Sequence, residues 1–429
     1  MPSVNNIKLT IGGPESTPGD PVARTHVIPV RGLPGLDKAA ERAEDPAITG
    51  ENMAVGEYFM ADSVGGGIPL AVRPCAGIGK LLKSCLGTEA TPVQVAACIR
   101  IRYKGTEASC KLVANTTADT LASSIGDKGS EIADNNFGTS GSIDLTALDT
   151  DTVGELVTEI DGYTDYECEK LFGEDSVDAG EIIDITAVQA KGMWAYVWFS
   201  SADSGIYAHI FTVDLGNDER DTYSIQKDGF QDNFLYAGCV VNTFSLSAAL
   251  KAMVEAECDN LGFTEAGSQS ASSLTLEDVN PLVFQQGSFS LGTKEYTYIR
   301  NHSLAFNNNH NAEGYGQGSS SRQYHQKGKF EASGDCQLRL DADSYAERAK
   351  AFDGSLIALS FYYKGKVVTA NIPELMLIEL PYCTINEPAW PENAGVIDIK
   401  LGFRVLKPKG TIYNEPVKIT LLTKDSAAY

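Results

Sequence analysis

The stretch Cys239–Gly262, CVVNTFSLSAALKAMVEAECDNLG, constrains the fold more than any other part of the chain. With a period of two, Asn242, Phe244, Leu246 and Ala248 share one face, and Thr243, Ser245 and Ser247 share the other. Its second half places Val254, Ala256 and Cys258 on one face and Glu255, Glu257 and Asp259 on the opposite one. This pattern describes an antiparallel hairpin with an apolar side and a wet, largely acidic side. A helix is the rival reading. Ala, Leu, Lys, Met and Glu crowd Ala248–Glu257, and Leu246, Leu250 and Met253 sit at helical spacing, yet Glu257 then lands on the apolar stripe. Within the stretch the two readings balance.

Lys329–Asp341 tips the choice toward strands. Phe330, Ala332, Cys336, Leu338 and Leu340 alternate there with Lys329, Glu331, Ser333, Asp335, Gln337, Arg339 and Asp341. Long two-faced strands leave unpaired edges, which invite aggregation unless something pairs with them. A closed ring of identical subunits, each sheet completing the next, is one solution.

A length of 429 residues allows two or three domains with a substantial core. Asp and Glu outnumber Lys and Arg by 57 to 34, giving a net charge of −23. Such a chain offers no broad cationic footprint for nucleic-acid phosphates. The opening MPSVNNIKLT has neither the basic nor the apolar region of a signal peptide, and no apolar run reaches membrane-spanning length, so no membrane partner is expected. Nine cysteines, at 75, 85, 98, 110, 168, 239, 258, 336 and 383, form no C-x-x-C pair and read as free buried thiols.

Residues 1–50, rich in Pro and Gly, read as an extended arm that is ordered only where it lies on something. Val55–Met60 is a short strand candidate before a Gly65–Gly67 loop, and Ile78–Leu86 has helical spacing with Gly87 as its stop. Residues 92–203 differ in character. Strands are expected at Val93–Tyr103 and Ala108–Val113, joined at Lys104-Gly105, and at Ser142–Leu145. Others fall at Ile182–Val188 and Met193–Ser200, turned at Lys191-Gly192. A helix with a Thr152/Glu155 capping box covers Thr152–Ile160. Twenty Asp and Glu against seven Lys and Arg give this span a net −13, and a self-contained α/β pattern with its own charge suggests an inserted domain.

From Gly205 onward the chain is mostly β. Leu356–Tyr363 and Val367–Ile372 are expected to pair across Lys364-Gly365, and a capping box opens a short helix at Asp343–Glu347. The C-terminal segment Lys407–Tyr429, with a strand at Val417–Thr423, reads as an arm that extends a neighbouring subunit's sheet.

No motif argues for an enzyme. Cys75–Leu81 has Pro74 and Leu81 where a phosphate-binding loop needs Gly and Ser or Thr. The five histidines show neither an H-E-x-x-H motif nor a paired cysteine; His302 and His310 flank an Asn-rich turn. Asp341-x-Asp343 lacks the glycine and distal Glu of a calcium loop and reads as a helix cap. No cofactor, metal or catalytic residue is expected.

The order of segments resembles the tail tube (major tail) proteins of tailed bacteriophages. The resemblance is carried by Gly77-Ile-Gly-Lys-Leu-Leu-Lys-Ser-Cys-Leu-Gly87, Tyr207-Ala-His-Ile-Phe211, Tyr223-Ser-Ile-Gln-Lys227 and Tyr236–Ser247, then by a strand ending at Gly262 and the Ser344–Phe352 helix with the paired strands after it. It covers 1–91 and 204–429; the interruption at 92–203 departs from the simplest members. It implies a mainly β fold: an antiparallel β-sandwich tube protomer with a short helix, interrupted by a small α/β inserted domain. Residues 1–91 would be an N-terminal arm and the first part of the tube domain, 92–203 an outward-facing decoration domain, and 204–429 the remainder of the tube domain with a C-terminal arm.

The implied function is structural. Hexameric rings would stack into a tube that conducts viral DNA without binding it specifically, in contact with other tail proteins such as a sheath, terminator or tape measure. On that reading Thr243, Ser245, Ser247, Glu255, Glu257 and Asp259 face the lumen, because Val254, Ala256 and Cys258 pack inward. A β-rich surface adhesin or glycan-binding module is the alternative, and an enzyme with a spatially assembled site is a third.

Overall fold

The computed structural model describes residues 6–44, 56–216, 220–229, 231–386, 388–393, 395–408 and 414–429. The fold is mainly β, with about half of the residues in strands. One layer runs, in spatial order, Asp37–Glu44, Glu57–Ala71, Glu255–Gly262, Phe234–Ala249, Ile299–Asn307, Glu331–Arg339 and Val396–Val405, each antiparallel to its neighbour. A second layer runs Gly287–Leu291, Ile357–Thr369, Ile372–Ile385, Lys418–Thr423 and Tyr207–Val213. The strand Ile372–Ile385 belongs to both, since Cys383–Ile385 pairs with Phe403–Val405 of the first layer.

Alternation explains why the layers face each other. Phe244, Leu246, Ala256, Cys258, Leu304, Phe306, Leu401 and Phe403 from the first share one core with Phe289, Phe361, Met376, Ile378 and Ile419 from the second. The Phe361 ring of the second layer lies 6.3 Å from Phe403 of the first and 5.1 Å from its in-sheet neighbour Phe289. The helix Ala76–Leu86 is buried along almost its whole length and ends at Gly87, whose φ of 98° is the left-handed stop that its sequence suggests.

The Cys239–Gly262 stretch resolves as strands. Asn242 departs from the expected alternation: it is the extra residue of a bulge between Val241 and Thr243, and its side-chain oxygen accepts from the His310 N–H at 2.9 Å. Tertiary burial decides against the helical propensity of Ala248–Glu257.

Several local expectations are overturned. Gly65–Gly67 is no loop but the middle of strand Glu57–Ala71. A Cβ on Gly66, where φ is 137°, would sit 2.2 Å from the Gly35 carbonyl oxygen, so the glycines admit a neighbouring chain rather than a turn. Val55 of the expected short strand lies outside the described residues. Lys364-Gly365 lies inside strand Ile357–Thr369 at a register shift, and the chain turns at Ala370-Asn371, both with positive φ. The capping box of the short helix is Asp341/Ser344 rather than one at Asp343–Glu347: the Asp341 Oδ1 accepts from the Ser344 N–H at 2.8 Å, which is the helix-cap reading of Asp341-x-Asp343.

Residues 1–5, 45–50 and 409–413 of the two expected arms lie outside the described residues, and described segments of both arms pair with the body. Lys8–Gly12 pairs with Tyr223–Asp228, and the buried Glu15 carboxylate accepts from the Thr222 and Ser224 hydroxyls and the Gly238 N–H. Lys418–Thr423 is an internal strand between Tyr207–Val213 and Ile372–Ile385, so it does not serve as a donor to another subunit.

Within 92–203, Val93–Tyr103 is flanked by Tyr166–Phe172 and Ala195–Ser200, and Ser109–Asn115 by Thr120–Gly126 and Ile185–Gln189. The turns read at Lys104-Gly105 and Lys191-Gly192 therefore connect different sheets rather than closing hairpins. The helix Val153–Gly162 carries the Thr152/Glu155 capping box. Ile99, Ile101, Leu112, Phe137, Leu156 and Tyr166 form a core of their own. A third cluster sets Val95, Phe172, Tyr196 and Trp198 against Ile206, Leu375, Leu377 and Leu422 of the second layer. Polar contacts reinforce this seam: Arg100 pairs with Glu295 at 2.5 Å, and Arg102 donates to the Thr293 carbonyl at 2.7 Å. Both guanidiniums lie over the Trp194 ring.

Candidate functional site

The outer face of the first layer carries the polar residues that the alternation singles out, and the register arranges them in three rows. One row holds Gly67, Asp259, Thr243, Asn307 and Glu331. The next holds Pro69, Glu257, Ser245, Ala305, Ser333 and Arg404, and the third Ala71, Glu255, Ser247, Ser303, Asp335 and Gly402. Directly paired residues of antiparallel strands project to the same side. The six sequence-derived residues thus share one face, with Phe244, Leu246, Ala256 and Cys258 buried beneath them.

The face is less acidic than the sequence alone suggests. Glu255 pairs with Arg31 at 3.0 Å, Asp335 with Lys400 at 3.4 Å, and Glu331 with Arg404 at 3.0 Å and Lys329 at 3.7 Å. The Ser303 hydroxyl donates to Asp335 at 2.8 Å. Among the described residues no cation pairs with Glu257, whose carboxylate lies over Gly67: a Cβ there would meet its Oε1 at 2.9 Å. Asp259 is half-buried, and loss of water pushes its carboxyl above the usual range, helped by the charge of Glu257 and opposed by a hydrogen bond to Asn242. Lys400 and Arg404 were accessible to the same period-two reading of Val396–Val405. Arg31 was not, because it sits on an irregular segment beside the sheet.

The other chemical candidates have structural roles. The N-terminus of helix Ala76–Leu86 is already engaged, since the Ala76 N–H donates to the Glu277 carboxylate at 3.0 Å, and Lys80 donates to the Gly13 carbonyl. His302, His310 and His325 are buried. Among the described residues no group of His, Cys, Asp or Glu is placed to hold a metal ion, and no helix is long and apolar enough to cross a membrane. The face is thus a broad, polar sheet surface whose carboxylates are in part neutralised by neighbouring cations.

A family model described as phage tail tube protein matches residues 5–372 of the 429. That span includes every strand of the polar layer except Val396–Val405, and all of 92–203. Among curated proteins no sequence matches the chain.

Proposed function

This chain belongs to the phage tail tube protein family, and on that premise we propose that it forms hexameric rings that stack into a conduit for viral DNA, with the three-row polar face lining the bore. The family is structural rather than catalytic. The observation that carries the reading is the two-sided first layer: one dry side is fully used by the core, and one continuous polar side spans six strands. The edge strand Asp37–Glu44, exposed at all eight residues, offers its outer backbone groups to a neighbour.

Arg31, Lys400 and Arg404 are each tied to a carboxylate, so a passing phosphate backbone meets few free positive charges there, and Glu257 adds repulsion. The domain 92–203 decorates the outside: it sits on the second layer, behind the core from the polar face. Other tail proteins would meet the tube at its ends and on its outer surface.

Negative-stain micrographs of the purified protein test this directly. The expected product is tubes with sixfold end views. Monodisperse protomers at high concentration, with no rings or tubes, overturn the proposal.

A further inference from the structure

Lys227 points away from water. It lies on Tyr223–Asp228, opposite Phe234 and diagonal to Tyr236 of the next strand, and Glu265 of Thr264–Ala266 is the cross-strand partner of Tyr236. Paired and diagonal residues of antiparallel strands share a side. Lys227 is only 4% exposed, and its Nζ stands 5.8 Å from the Phe234 ring centre and 5.4 Å from that of Tyr236. The amine reaches the root of the edge strand Asp37–Glu44, where it donates to the Leu36 carbonyl and lies 3.8 Å from Asp37 Oδ1. Leu36 is fully buried, and the Lys38 N–H donates to the same Asp37 oxygen at 3.0 Å, so backbone contacts hold the carboxyl beside the amine.

Glu265 supplies a third group. Its Oε2 is buried without a hydrogen-bond partner among the described residues, as is the Tyr236 hydroxyl. The charges of Asp37 and Glu265 both bear on Lys227 and on Tyr236, which brings the four side chains within electrostatic reach of one another. Loss of water holds the Lys227 ammonium below its ordinary range, against the pull of the two carboxylates, and pushes the Tyr236 hydroxyl up. A desolvated ammonium gives up its proton more readily, and the neutral amine is a nucleophile. An amine fixed beside one carboxyl, with a second carboxylate at hand to carry protons, is the set of groups that amide condensation needs.

We infer that Lys227 and Asp37 condense into an intramolecular amide, with Glu265 moving the protons. An ammonium proton passes to the Asp37 carboxylate, which removes both charges. The Nζ lone pair then attacks Cγ of Asp37 and forms the C–N bond. Glu265 takes a proton from the nitrogen and delivers it to the hydroxyl of the tetrahedral centre, and the C–O bond breaks to release water. Glu265 ends as it began, and no oxidant or reductant takes part. The Asp37 side chain is 72% exposed, so the water has a way out. The bond fastens the root of the exposed edge strand to the small sheet of Lys8–Gly12, Tyr223–Asp228 and Phe234–Ala249. It does not depend on the tube reading, and either can fail without the other.

Mass spectrometry of the denatured full chain tests it. The expected mass is one water, about 18 Da, below that of the sequence, and digestion should yield a branched peptide joining the Asp37 and Lys227 segments. Lys227→Arg and Glu265→Gln should each give the full sequence mass. Asp37→Asn is the sharper variant, because the same attack on a side-chain amide expels ammonia: it should run about 17 Da light, which a merely structural ion pair would not produce. The full sequence mass in unaltered protein kept folded for days, a branched peptide that maps elsewhere, or a lost water that persists in Lys227→Arg overturns the inference. A Glu265→Gln chain as light as the unaltered one overturns the role given to Glu265. Should Lys227→Arg fail to fold, the Asp37→Asn mass and the peptide map of the unaltered chain decide the matter.

Discussion

The ring of Tyr429 lies flat against the imidazole of His209, with centroids 4.3 Å apart and planes 9° from parallel. Gly79 makes this possible, because a Cβ there would stand 2.0 Å from the tyrosine ring. The Tyr429 N–H donates to Glu89 at 2.7 Å, and the other Glu89 oxygen contacts His209 Nδ1 at 2.8 Å. The last strand and the residues after it therefore complete the fold of their own chain.

Two outcomes follow for the C-terminal segment. Truncation after Leu406 should give insoluble protein, since Tyr207–Val213 and Ile372–Ile385 both lose their shared partner strand; soluble, folded protomers would contradict this. Tyr429→Ala should cost about 3–5 kcal/mol in urea unfolding. Tyr429→Phe, which loses only the hydroxyl contact to Thr423 at 3.1 Å, should cost about 1 kcal/mol.

Stability should fall on mild acidification. Burial holds His302 and His310 down at about 4 and His325 at about 3, against 6.5 for a free imidazole. Arg220 and Lys327 reinforce the effect at His310, as His310 and Arg322 do at His325, where the Gly238 carbonyl opposes it. Below pH 6.5 the unfolded chain takes up protons that the folded chain refuses, so stability is full above 6.5 and is lost progressively toward the folded values. Each histidine contributes up to about 1.4 kcal/mol per pH unit. The carboxyls of buried Glu379 and half-buried Asp259, pushed upward by desolvation, act in the opposite sense, so the loss is read most cleanly between pH 6.5 and about 5. A urea midpoint that stays constant over that range would refute the assignment, and a His310→Asn/His325→Gln variant should show a shallower slope.

Excision of residues 92–203 should not be innocuous. The seam would leave Ile206, Leu375, Leu377 and Leu422 uncovered, and the cut removes Val93 and Gln94, which pair with Ala208 and Tyr207. Replacement by a Gly/Ser linker is expected to yield aggregates in size-exclusion chromatography, with Leu375→Thr/Leu377→Thr restoring solubility. A monodisperse product from simple excision would show that the seam contributes little.

Reversing charge at Glu257 and Asp259 should slow DNA release while leaving tubes intact. Glu255 is better left alone, because a lysine there would face Arg31. The effect should be larger at low salt, where the Debye length rises from about 8 Å toward 30 Å. Virions carrying Glu257→Lys/Asp259→Lys that eject at the normal rate under both conditions would place these residues away from the DNA path.

Short-range signals were readable in the sequence, and long-range pairings were not. The Cys239–Gly262 hairpin, the Thr152/Glu155 capping box and the Gly87 helix stop each depend on residues a few positions apart. Strands Thr120–Gly126 and Tyr166–Phe172 escaped notice because their alternation is weak. Gly65–Gly67 and Lys364-Gly365 looked like turns because glycine serves close packing and bulges as readily as reversals. The six face residues followed from parity, but the cations that neutralise their neighbours came from elements brought alongside only by the fold, with Arg31 as the clearest case.

The nine cysteines have a consequence for the particle's life history. All are buried, and burial pushes Cys75 and Cys85 to about 12 and Cys110 to about 11, so few thiolates are present at neutral pH. Reagent should find almost none in the native protein and nine after denaturation. A particle carried from reducing into oxidising surroundings crosses a large change in redox potential. This chain would cross it without making or breaking a covalent bond, so that its structure does not record which side of the cell wall it is on.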